Sequence, residues 1–167
     1  MIGYKICRTC DSRGYVNGFC LVTLDVPSNA KVIAPYGTNK LRCDFANIVD
    51  MRHIGLVKYD FGLFEKYKVV KKTASPQVDF AVNLFTDYRL TSYVRCDEIR
   101  ADWLDDNPHA ECSHGIGFFA TKNETYDFLL KFARVRTWSF QPTEVVCGGV
   151  RGIFRYVINM LIGKEYG

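Results

Sequence analysis

Residues 20–27 read CLVTLDVP, and their strict alternation constrains the fold more than any other feature of the chain. Cys20, Val22, Leu24 and Val26 fall on one face of an extended segment, Leu21, Thr23 and Asp25 on the other, and Pro27 ends the run. Bursts of the same kind recur at IGYKICR, AKVIAP, LRCDFANIV, GLVKY and YKVVKK, separated by the turn-rich pieces DSRG, PYGTN and TASP. Short strands at this spacing build a sandwich or a barrel. An aromatic share of 14%, with ten Tyr and twelve Phe, points the same way, because aromatic and β-branched side chains fit a pleated, half-buried surface.

QVDFAVNLF satisfies both periods: Val78, Phe80 and Val82 alternate, while Val78, Ala81, Val82 and Phe85 lie at helical spacing. Its neighbours favour a strand. SYVRC and GIGFFAT are the next strand candidates, joined by a long acidic surface connection. Beyond GIGFFAT the period changes. Thr121 and Glu124 have capping-box spacing, and Tyr126, Leu129, Leu130 and Ala133 then follow at i, i+3, i+4 and i+7. TWSFQPTEVVCGG reads as a further strand. A second apolar stripe, Val150, Ile153, Phe154, Val157, Leu161 and Ile162 opposite Arg151, Arg155 and Asn159, predicts a C-terminal helix packed on the sheet.

The expectation is a single domain over residues 1–167: β-rich over 1–121, a helix over about 122–134, then a strand and C-terminal helix over about 137–163. Its class is mainly β, antiparallel and β-sandwich-like, with one or two C-terminal α-helices, α+β overall.

A net charge of +4 and a pI near 8.6 fall short of a dedicated nucleic-acid module. The distribution is more informative. Residues 97–111 hold Asp97, Glu98, Asp102, Asp105, Asp106 and Glu111 against Arg100 alone, a net −5 that leaves +9 on the rest of the chain. Such a run is a solvated loop or a patch suited to a basic partner. Seven scattered cysteines and an N-terminus without the pattern of a secretory signal predict reduced thiols in the cytoplasm or nucleus, not a secreted protein. No apolar run approaches the roughly 18 residues of a membrane span.

Four chemistries can be weighed. Cys7 and Cys10 form a CxxC pair that Cys112 with His114, or with His109, would complete as a zinc site. A three-residue spacing on a strand sends the first pair to opposite faces, so small buried thiols are favoured. Cys112 and His114 as a nucleophile and base start about 6.5–7 Å apart on an extended chain, too far for direct proton transfer without a bend. Asp105 and Asp106 would suit magnesium or nuclease acid–base chemistry, but Asp-Asp-Asn-Pro is also an ordinary turn. Lys58, Lys66, Lys68, Lys71 and Lys72 among aromatics would suit single-stranded nucleic acid. Strand alternation would instead bury Tyr67 and Val69 and leave the lysines in water.

Three ordered pieces, GYKICR, LVTLDVPSNAK and NKLRCDFANIVDM, are followed by a segment from Trp103 that ends in ECSHGIGFFATKNET. Together they resemble an uncharacterised domain of giant and other large DNA virus proteins, often found beside pentapeptide repeats. The resemblance covers most of residues 2–128, and residues 57–89, within the stretch 56–90, stand as an insertion. Its most specific pieces are Tyr4-Lys5-x-Cys7-Arg8 and Glu111-Cys112-Ser113-x-Gly115-Ile116-x-Phe118-Phe119. The usual pattern has a small residue in place of His114 and a histidine in place of Gly117, and it brings no catalytic residues. This chain contains no pentapeptide repeat. The resemblance implies a viral protein without enzymatic activity or cofactor. With the acidic stretch and an exposed sheet edge, it leads to the expectation of a protein-interaction module for a basic host nuclear protein such as the core histones. A Cys/His metalloprotein or thiol-dependent enzyme is the alternative from another class.

Overall fold

The computed structural model describes residues 1–10, 16–60, 65–70, 77–84, 92–110, 113–135, 144–149 and 152–157, with side chains over 1–9, 18–56, 68–69, 77–84, 92–110 and 113–132. In chain order the elements are β1 (Ile2–Cys10), β2 (Val16–Asp25), β3 (Val32–Ile33), β4 (Lys40–Cys43), β5 (Phe45–Asp60), β6 (Glu65–Val70), β7 (Phe80–Asn83), β8 (Ser92–Val94), β9 (Glu98–Arg100), β10 (Ile116–Phe119), α1 (Lys122–Val135), β11 (Glu144–Gly149) and β12 (Gly152–Val157). The expected class is met: among the described residues the chain is mostly antiparallel β, with one helix in its C-terminal part. All twelve strands join one open, branched sheet, ordered β12-β11-β5-β2-β1-β10-β4-β3 along its main path, rather than two separate layers.

β2 runs through the middle, between β1 and β5, and its alternation is used on both faces. Cys20, Val22 and Leu24 enter a core with Cys7, Cys43, Ile48, Met51, Tyr93, Ile99 and Phe118. Phe19 and Leu21 point the other way, into a second cluster with Ile6, Ile54, Leu56, Leu84 and Leu129 of α1. β1 serves two neighbours on its other edge. Tyr4 pairs with Phe119 of β10, and Cys7–Thr9 pair with Ala81–Asn83 of β7. Lys5 sits where the two part, and its ammonium donates to the Gly117 carbonyl at 2.9 Å. Phe118 lies flat against β1 at Gly3, where a Cβ would come within 2.4 Å of its ring.

The helix starts where its sequence says it should. The Thr121 hydroxyl accepts from the Glu124 N–H at 3.3 Å and the Glu124 carboxylate accepts from the Thr121 N–H at 3.1 Å, so each satisfies a donor the helix leaves unpaired. Leu129 is fully buried, worth about 2 kcal/mol of apolar transfer. The packed face is wider than the predicted stripe: Phe128 and Phe132 also contact the cluster, and Phe128 meets Phe119 at 5.3 Å between ring centroids.

Some expectations need correction. The apolar stripe over Ile153, Phe154 and Val157 is a strand, β12, whose residues pair with β11 from Glu144↔Val157 to Gly149↔Gly152. Ile, Phe, Tyr and Val are strand formers, and six residues satisfy a helical stripe by chance; Val150, Leu161 and Ile162 lie outside the described residues. β11 lies parallel to β5 at Glu144–Cys147, the one departure from antiparallel pairing among the described strands. Of the stretch 57–89 set apart as an insertion, the described parts belong to the sheet: β5 continues into it, and β6 and β7 lie within it. QVDFAVNLF contributes a strand, as its neighbours suggested. The acidic connection itself opens with β9, paired with β5 at Phe45–Asn47, which the lone apolar Ile99 among charges did not announce.

Candidate functional site

The segment 101–115, between β9 and β10, is built around a buried cation. Arg42 of β4 is only 1% exposed, and its guanidinium donates to the carbonyls of Asp105 (3.1 Å), Asn107 (2.9 Å) and Ala110. Its Nε is buried without a partner. A buried charge is tolerated only when its donors are engaged, and here main-chain carbonyls engage them. The Asp105 carboxylate turns instead to the Ser113 hydroxyl and the Asn107 N–H, and these two bonds hold its pKa below the usual carboxylate value. Asn107 repeats the device by accepting the His109 N–H at 2.9 Å, and Asp105 N–H closes the loop on the His114 carbonyl at 3.2 Å. Aspartate and asparagine therefore act as turn formers, as the Asp-Asp-Asn-Pro string predicts.

The acidic patch is smaller than its sequence count. Glu98 pairs with Arg100 at 2.5 Å and Asp106 with Lys31 at 3.3 Å, while Asp105 is spent inside the loop. Asp97 and Asp102 are exposed, and Glu111 lies outside the described residues. What the loop presents instead is aromatic. Trp103 is 54% exposed and stacks on His114, with centroids 4.1 Å apart and planes 26° apart. Tyr36, 71% exposed, packs edge-on against His109 at 5.2 Å, and its N–H is tied to the Pro108 carbonyl at 2.8 Å. Sequence reasoning passed over Trp103, Tyr36 and Arg42. The signal available was a tryptophan within an acidic run, where a solvated loop has no use for one.

Of the zinc candidates Cys7, Cys10, Cys112 and His114, the side chains of Cys7 and His114 are described. Cys7 is fully buried in the sheet core, whereas His114 is exposed and stacked on Trp103; the Cys10 side chain and Cys112 lie outside the described residues. Among the described residues no three His, Cys, Asp or Glu side chains converge to hold a metal ion. Cys7, Cys20 and Cys43 are buried cysteines in no disulfide, and burial pushes the Cys7 and Cys43 thiols up to about 12. Cys7 faces Cys20 across β1 and β2. Val26 N–H donates to the Met1 carbonyl and the Met1 amine donates back, so Met1 and Val26 form a hydrogen-bonded pair. Six residues along each strand the same phase returns, placing Cys7 and Cys20 in the pair type whose side chains are farther apart. Neither is in a disulfide.

The lysine-rich hairpin falls into register with Lys58 opposite Tyr67 and Lys66 opposite Tyr59. Lys68 is exposed and Val69 packs on the helix cluster, as alternation requires; Lys71 and Lys72 lie outside the described residues. The two motifs behind the viral resemblance have structural uses. Lys5 and Cys7 face the core, Arg8 donates to the Asn83 carbonyl at 3.3 Å, and Gly115 supplies a φ of +128° at the entry to β10. No helix is long and apolar enough to cross a membrane among the described residues. No family model, curated protein or solved structure matches the chain.

Proposed function

We propose that the chain is a non-catalytic binding module that engages a basic protein through the loop over Arg42 and the adjoining Tyr36 turn. One observation carries this reading: a buried arginine fixes a surface loop that presents exposed Trp103 to solvent. The sheet core does not need an ordered tryptophan on its surface, and exposed aromatics on rigid loops are where binding energy concentrates. The acidic stretch 97–111, with a formal net charge of −5, sets the sign of the partner. β3, the two-residue strand at one end of the sheet, offers little backbone to a partner strand.

The resemblance to a viral domain supports placing this activity in the cytoplasm or nucleus of a host cell, with core histones the first basic class to examine. The test is calorimetric titration of the full chain with core histones at about 0.15 M salt, beside a neutral protein of similar size. Saturable binding that weakens when Asp97 and Asp102 are both changed to Asn supports the reading. Absence of binding, or equal binding of the neutral protein, overturns it.

A further inference from the structure

We propose that Trp103 is the seat for an arginine side chain of the basic partner, held on the indole face that His114 leaves open. This rests on the binding-module reading and names the chemistry at its centre. His114 covers one face of the indole at 4.1 Å, yet Trp103 remains 54% exposed, so the second face and the ring edge meet water. Both rings are held by the same frame. Asp105 N–H is bonded to the His114 carbonyl, and Arg42 anchors Asp105, Asn107 and Ala110 from below. The indole is therefore oriented before any partner arrives, and little side-chain entropy is lost on binding.

The occupant follows from charge and shape. An indole face carries the negative end of the ring quadrupole, and the stretch 97–111 that holds Trp103 has a formal net charge of −5, so a cation is attracted and an anion repelled. A nucleobase would stack equally well, but its phosphates would meet the net negative charge of the stretch 97–111. Between the two cationic side chains, the planar and weakly hydrated guanidinium matches a flat ring, whereas an ammonium gives up more hydration to lie on it. Tyr36 of the turn between β3 and β4, packed edge-on against His109, repeats the arrangement as a second and weaker seat beside the loop.

The experiment compares fluorescence anisotropy of two labelled peptides, alternating arginine–glycine and alternating lysine–glycine, on the full chain, together with core histones. The arginine peptide is expected to bind about fivefold to tenfold more tightly than the lysine peptide. Trp103→Ala should remove that preference, Trp103→Phe should keep part of it, and circular dichroism should show both variants folded. Equal affinity for the two peptides, or a preference unchanged in Trp103→Ala, overturns the seat. If histones still bind under that outcome, the binding module stands and only the seat falls; if neither peptides nor histones bind, both fall.

Discussion

Arg42 meets Asp105 through the main chain. Its Nη2 lies 3.1 Å from the Asp105 carbonyl oxygen, while the carboxylate of the same residue accepts from Ser113 and from the Asn107 N–H. A cation and an anion adjacent in space thus divide the work of holding one loop, the cation from below and the anion from within. The loop's order comes from this division rather than from a salt bridge.

Replacing Arg42 with Met keeps an apolar stem in the core but leaves the carbonyls of Asp105, Asn107 and Ala110 without their donor. The expected loss is about 2–5 kcal/mol in urea unfolding, because hydrogen bonds to a charged donor are the stronger kind. Amide exchange over 102–114 should accelerate more than exchange in β1 and β2. A loss below about 1 kcal/mol with unchanged exchange would show that the loop holds itself.

Gly115 should not tolerate alanine. Its φ is +128°, and an added Cβ would lie 2.7 Å from Leu104 Cδ1. Gly115→Ala is expected to cost about 1–3 kcal/mol and to lower the melting temperature. A variant as stable as the parent would mean that the turn into β10 has another conformation available.

Alkali should destabilise the fold before any loop effect is seen. Burial raises Cys7 and Cys43 from 9.0 to about 12, and burial foremost raises Tyr93 as well. The folded state keeps protons that the unfolded chain releases, so this stabilisation is complete below about pH 9 and is lost as pH rises toward 12. Lys5, lowered mainly by burial, works in the opposite direction as it approaches its ordinary 10.5. Two thiols outweigh one lysine above about pH 9 and Tyr93 joins them above its ordinary 10.0, so the urea midpoint should fall between about pH 9 and pH 11. The double variant Cys7→Ala and Cys43→Ala should show a shallower fall; an identical slope would place the effect elsewhere.

Thiol labelling should divide the described cysteines sharply. Cys96 is exposed, in a left-handed turn with φ 67°, whereas Cys7, Cys20 and Cys43 are buried. A maleimide reagent with peptide-level mass mapping should modify Cys96 in the native protein and the other three only after unfolding. Native labelling of Cys7 or Cys20 at the rate of Cys96, or a mass showing the two joined, would contradict the packing and the register.

The alternation of CLVTLDVP and its companions, the Thr121–Glu124 cap and the Asp-Asp-Asn-Pro turn were legible in the sequence, because each rests on neighbours one to four residues apart. Local sterics and local hydrogen bonds decide such features whatever the rest of the chain does. β9 and β12 were not legible. Three residues around Ile99 carry too little pattern, and the stripe over Ile153, Phe154 and Val157 fits two periods until β11 offers it a partner. The candidate site was the least visible. The sequence by itself determined a mainly β chain, the cap of its helix and an acidic segment. Only the tertiary structure decided that Arg42, more than sixty residues away in the chain, would run beneath that segment, draw its carbonyls inward and leave Trp103 outside. A long-range bond from a strand side chain to a loop's main chain has no local spacing to betray it.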